Sequence, residues 1–216
     1  MSTPADYPLI LALEDFVPTL LAFAGFYLLG GLSGDDRRVR LGRIGAVLIV
    51  AGGLAKCAWK IIVATDGPDL GWLAGMLFPL MAAGACLLLW SLHRSMPWWP
   101  YALVPALTGI AAVAIGSIQP IFVLATAGIT LISITGAVIA ARRGAWFAMV
   151  LYAVSIIAVM GLVPLRHHPQ HETLGFQWIE QGTNTTAQGL FLLAAFLTVR
   201  AVARTGGAAR PEEVAR

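Results

Sequence analysis

The sequence predicts an all-α, polytopic membrane protein, a single bundle of seven transmembrane helices. Three observations carry that expectation. Of 216 residues, 58% are hydrophobic and 12% charged, and the mean hydropathy is +0.80, unlike a soluble domain. Apolar runs of about 20 residues, each long enough for a ~30 Å hydrocarbon core, recur down the chain. Between them stand turn or charge signals: GDDRRVR, DGPD, HRSMP, SIQP, RRG and RHHPQHE.

The first run, Leu9–Leu32, has no positive leader or cleavage motif, so it is expected to persist as a helix. The second, Ile44–Thr65, contains the chain's only lysines, Lys56 and Lys60. The third, Leu70–Leu92, and the fourth, Trp98–Ser117, contain Pro79 and Pro105, which are expected to bend them. Pro120–Ala141, Ala145–Leu165 and Thr173–Val202 complete the set. Residues 1–204 thus form one domain, and 205–216 are expected to form a short disordered cytoplasmic tail.

Arginines set the expected orientation. Arg37, Arg38, Arg40 and Arg43 stand in the first connection, Arg94 in the third, Arg142 and Arg143 in the fifth, and Arg200 and Arg204 at the C-terminal end. The second and fourth connections have no Lys or Arg, and the sixth has only Arg166. The positive-inside rule then places the N-terminus outside and the C-terminus in the cytoplasm. A net charge of +3 therefore reports topology and lipid contact, and no nucleic-acid partner is implied. Trp98, Trp99 and Tyr101 on one side and Trp72 on the other fit interfacial belts. The bias to Ala, Gly and Arg suggests a bacterial chain, hence a multi-pass protein of the plasma (inner) membrane.

Charges within the runs point to a function. At 1.5 Å per residue, Glu14 and Asp15 lie roughly 8–9 Å below the outer surface, Lys60 roughly 8 Å, Lys56 roughly 14 Å, Glu180 roughly 10 Å and Asn184 roughly 16 Å. An ammonium in hydrocarbon costs at least ~2.5–3.5 kcal/mol, so such groups face a partner or a wet cavity. Lys60 is shallow enough to snorkel; Lys56 is not. Both lysines share a helix face, above Gly52 and Gly53, where another helix can approach closely. Ion pairs with Glu14 or Asp15 are expected, with Glu180 a further candidate. Three acids against two bases would leave a net −1, to be balanced by a proton or a cation. Pro18 frees the carbonyl of Glu14 and is expected to kink the first helix.

On a 100° wheel, Gln177, Glu180, Gln181, Asn184 and Gln188 of the last run fall within one ~100° arc. Single amides often tie helices together; five polar residues including a carboxylate suggest a ligand or water path. Gln119, Thr126, Thr130 and Ser133 form a weaker stripe, with local back-bonding the competing explanation. His167, His168 and His171 cluster near the outer mouth and are candidate metal ligands, although Pro169 interrupts any regular helix and a solvated loop is the favoured explanation. Cys57 and Cys86 lie at depths too different for a disulfide.

These features favour binding and transport of a small polar or anionic solute from an outward-facing pocket, with Glu180 as the proton-coupling carboxylate. A ligand-sensing receptor is the alternative from a second class. A membrane-embedded hydrolase of lipid, with a metal at the histidine cluster, is the enzymatic alternative. No other cofactor is expected, and oligomeric state is not encoded in any motif.

Overall fold

The computed structural model describes residues 9–166, 168–169 and 173–207. Among them all regular structure is helical: α1 (Leu9–Glu14), α2 (Phe16–Gly30), α3 (Asp36–Ala64), α4 (Gly71–Gly75), α5 (Leu77–Leu92), α6 (Trp99–Ile115), α7 (Gln119–Arg142), α8 (Trp146–Arg166) and α9 (Leu174–Gly207). Five rods are long and apolar enough to cross a membrane: Leu9–Gly30, Asp36–Ala64, Gly71–Leu92, Gln119–Arg142 and Leu174–Thr205. Trp99–Ile115 and Trp146–Leu162 are shorter apolar helices. Length and apolar surface together mark a membrane protein.

Two rods are kinked. Asp15 joins α1 to α2 with φ −55 and ψ −21, and Met76 joins α4 to α5 with φ −71 and ψ −18. Both keep right-handed helical angles, so the axis bends without a turn. The cause is the proline that follows each joint. Pro18 and Pro79 lack the N–H that would bond the carbonyls of Glu14 and Gly75.

The helix ends differ from the apolar runs. α3 starts at Asp36 rather than near Ile44, because Asp35 caps it, accepting from the Arg37 amide at 3.1 Å. Its first turns are thus arginine-bearing helix outside the apolar stretch. α9 continues through Gly207, beyond the expected start of a tail at 205, with the Thr205 hydroxyl donating to the Ala201 carbonyl at 3.1 Å. Residues 208–216 lie outside the described residues.

Six rods close into a ring in the order α2, α3, α5, α7, α8, α9, with α9 returning to α2. α6 lies outside it, against α5 and α7; only Ala112 of α6 is buried, while Val113 is 85% exposed. Because α6 runs back along the outside of the ring, α5 and α7 meet running in the same direction. Phe78 and Phe122, near their starts, sit 4.9 Å apart, and His93 meets Thr135 near their ends. α2 and α9 are parallel too, with Glu14 opposite Thr185 and Phe26 opposite Phe191. The ring is therefore two three-rod halves of the same sense, joined by α6 and by two parallel seams.

Lipid offers little hydrophobic drive between helices, so close packing carries the association. A Cβ on Gly84 would lie 2.4 Å from the Gly45 carbonyl oxygen, which brings α5 and α3 into backbone contact. A Cβ on Gly30 would lie 2.8 Å from the Gly42 carbonyl carbon, joining α2 to α3. The Ser91 hydroxyl would be 2.5 Å from a Cβ on Gly42, so three rods converge there.

His93 ties α6 to the ring. Its Nδ1 lies 2.6 Å from the Tyr101 hydroxyl, and its Nε2 lies 3.2 Å from the Thr135 hydroxyl. Thr135 donates to the Leu131 carbonyl at 2.8 Å, so it accepts from Nε2–H, and Tyr101 donates to Nδ1. Arg38 donates to the carbonyls of Trp90 and His93 at 3.2 and 3.0 Å, closing the end of α5. Burial pushes the His93 imidazole below its ordinary pKa of 6.5.

Two outcomes follow for stability. Gly84→Leu should destabilise the protein by about 1–3 kcal/mol through overpacking, whereas Gly109→Ala, with open space at its Cβ, should be neutral or stabilising; thermal unfolding in detergent compares them. His93 binds its proton less tightly folded than unfolded, so its contribution is constant above the unfolded pKa near 6.5 and is lost as pH falls below it. The melting temperature of the wild type should drop more between pH 7 and pH 5.5 than that of His93→Gln.

Candidate functional site

The end of the bundle where α1 begins, α3 ends and α9 begins contains a cavity of about 330 Å³. Four of the five stripe residues line it: Gln177, Glu180, Gln181 and Asn184. α3 contributes Gly53, Lys56, Cys57 and Lys60, and the kink of the first rod contributes Asp15, with Thr19 one turn on. Leu11, Leu77 and Leu162 supply apolar wall. Charges read at matching depth from three distant runs therefore meet in one space.

Asp15 is the junction. One carboxylate oxygen accepts from the Lys60 ammonium and the other from the Gln181 side-chain amide. The Lys60 and Asp15 side chains are only 16% and 15% exposed, so the pair is largely removed from solvent. Thr19 Oγ1 donates to the Asp15 carbonyl at 2.8 Å, which holds the threonine side chain back along the helix beside the joint. Gly53 then admits Thr19 against α3, and a Cβ there would lie 2.8 Å from the threonine methyl.

Glu14 and Asp15, adjacent in sequence, point differently. Glu14 accepts from the Thr185 hydroxyl of α9 and is not part of the cavity lining; its Oε2 is buried without a hydrogen-bond partner among the described residues. The cavity's own charges are thus Asp15 and Glu180 against Lys56 and Lys60, a balanced set instead of the net −1 expected from three acids. Glu180 Oε1 is likewise buried without a hydrogen-bond partner among the described residues. A carboxylate oxygen in that condition is a place for a proton or for a donor from a bound molecule.

Gln188 is separated from this group. It lines a second void of about 30 Å³ with Thr130, Ser133 and Ser155, large enough for about one water. Its amide nitrogen lies 3.5 Å from Asn184 Oδ1, the remaining link to the main cavity. The hydroxyls of Thr126, Thr130 and Ser133 donate to the carbonyls of Phe122, Thr126 and Ile129, at 2.8, 2.9 and 3.2 Å. Local back-bonding thus accounts for the stripe's hydroxyls, and Gln119 stands at the helix start, where its backbone N–H donates to the Ser117 hydroxyl at 3.2 Å. Beyond the small void the interior is closely packed: Phe26 and Phe191 meet at 4.7 Å, and Tyr152 and Phe191 at 5.8 Å, over Leu29, Leu88 and Ile132.

Of the histidine cluster, His168 stacks on Phe176 at 4.7 Å, and its companions His167 and His171 lie outside the described residues. Among the described residues no group of three or more His, Cys, Asp or Glu is placed to hold a metal. Cys57 and Cys86 are both free, and Cys57 Sγ lies 3.8 Å from the Thr19 hydroxyl. Sequence reasoning missed Thr19, Thr185 and Cys57, since small helical residues carry no polar-stripe signal. It also missed Trp59, whose indole donates to Asp69 at 2.7 Å and pins the connection after α3.

Comparison with known proteins gives no match: no family model, curated protein or solved structure is similar to the chain. The chemistry of the cavity is the remaining guide.

Replacing the Asp15 carboxylate with an amide removes the charge opposite Lys60 and one of the two acceptor oxygens that Lys60 and Gln181 share, in a largely buried setting. Asp15→Asn should cost roughly 3 kcal/mol, and adding Lys60→Met should restore part of it. A double-mutant cycle on unfolding in detergent measures this, and purely additive losses would show that the pair contributes nothing.

Proposed function

We propose that the protein carries a small polar solute bearing an anionic group across the membrane together with a proton. The observation that carries the reading is the cavity of about 330 Å³ with balanced charges, in which Glu180 Oε1 lacks a partner. In a low-dielectric space an arriving anion adds an uncompensated charge; protonation of Glu180 restores the balance. The anionic group would sit against Lys56 and draw Lys60 from Asp15, while Gln181 keeps Asp15 in place. Gln177 and Asn184 would orient the rest of the solute.

All seven rods cross the membrane in this reading, with the N-terminus outside and the C-terminus in the cytoplasm of a bacterial cell, in the inner membrane. α6, at 17 residues, reaches roughly 26 Å, enough with slight local thinning. Arginines of the connections then collect on the cytoplasmic side and the cavity lies in the outer half. The packed aromatic and aliphatic layer below it would be the closed inner gate of an outward-facing state. Two three-rod halves of the same sense, meeting along two seams, supply units that can rock about a central site. The kinks at Asp15 and Met76 border that site.

Transport into proteoliposomes, assayed with a panel of labelled small carboxylates and amino acids, tests the reading. Uptake should rise when the outside is acidic. Lys56→Met should abolish binding and flux; Glu180→Gln should abolish proton-driven accumulation yet retain solute exchange. Unimpaired accumulation by both variants overturns the proposal, and saturable binding without flux would favour a receptor.

A further inference from the structure

At the end of the bundle opposite the cavity, a groove of about 340 Å³ runs between the start of α8 and the end of α9. Arg143, Arg200 and Arg204 line it, together with the apolar Phe147, Ala148 and Leu197. Among the described residues none of these three guanidiniums has an ion-pair partner. Arg143 donates to the Thr205 hydroxyl at 2.8 Å, and Arg200 lies 5.1 Å over the Phe196 ring, so both are positioned without being neutralised. The groove also faces the start of α8, a 21-residue helix whose first-turn amides and dipole add positive potential.

We propose that this groove is a binding site for an anionic phospholipid, its phosphodiester among Arg143, Arg200 and Arg204 and an acyl chain along Phe147 and Leu197. Three guanidiniums with no ion-pair partner among the described residues repel one another, and their forked donors match phosphate oxygens. The apolar lining distinguishes a lipid from free phosphate, which would leave it uncovered. Trp146 and Phe147, 62% and 66% exposed beside the groove, are side chains suited to headgroup depth. Basic pockets between membrane helices on an arginine-rich face hold such headgroups through the same combination of charge and apolar contact.

The test is native mass spectrometry of the full chain released from nanodiscs containing equal phosphatidylglycerol and phosphatidylcholine. Phosphatidylglycerol should be the retained lipid, and Arg143→Gln with Arg200→Gln should weaken its retention by about thirtyfold, at ~1 kcal/mol per arginine and ~1.4 kcal/mol per factor of ten. Arg37→Gln with Arg40→Gln, on α3 away from the groove, should leave occupancy unchanged. Equal retention of both lipids, or an equal loss in the α3 variant, overturns the site in favour of diffuse surface charge. Displacement by excess inorganic phosphate would reassign it to a free anion. Retention gained only on Glu212→Gln with Glu213→Gln would assign it to the chain's own acidic residues.

Discussion

Asp15 is the interaction on which the bundle's polar end depends. It sits at a proline-induced kink in the first rod, and its two oxygens engage α3 through Lys60 and α9 through Gln181. Three rods that have little hydrophobic reason to associate in lipid are thereby joined at one depth. The same contact keeps an ammonium inside the bundle, so structure and solvation of charge are settled together. Without it, Lys60 would lose the carboxylate charge that faces it across the cavity wall.

The two ends of the molecule solve opposite electrostatic problems. One end places two carboxylates and two ammoniums within a cavity, where balance is enforced by low dielectric. The other end collects arginines that outnumber the neighbouring acids Asp35 and Asp36, and meets several of them with backbone carbonyls and aromatic rings. Between them lies an aromatic and aliphatic layer around Phe191 and Tyr152. That separation is what allows a charged interior to coexist with a stable bundle.

Much of this was legible from residue positions. Lys56, Lys60, Asp15 and Glu180 announced themselves because a charge in an apolar run is rare, and depth follows from the rise per residue. The α9 stripe was legible because a helix repeats every 3.6 residues, which placed Gln177, Gln181 and Asn184 on one face. Periodicity does not say where a face stops serving the same space, and Gln188 falls past that limit. Nor does it say which of two adjacent acids turns inward; the kink decides that for Glu14 and Asp15. Helix ends at Asp36 and Gly207 were obscured because hydropathy registers the membrane and not the helix. The division into two halves was invisible, since it lies in which rods touch and leaves no repeated motif.

The closing seam has a consequence for how the protein is made. Glu14 and Asp15 find their α9 partners 171 and 166 residues later in the chain. During synthesis the first rod and α3 therefore reside in the membrane with an incomplete set of contacts until the last rod arrives. Lys60 can neutralise Asp15 in the interval, and that early pair holds the nascent charges together while Glu14 waits. A ribosome that stalls before α9 leaves a carboxyl-bearing hairpin exposed to lipid, a feature that membrane quality control can recognise and remove.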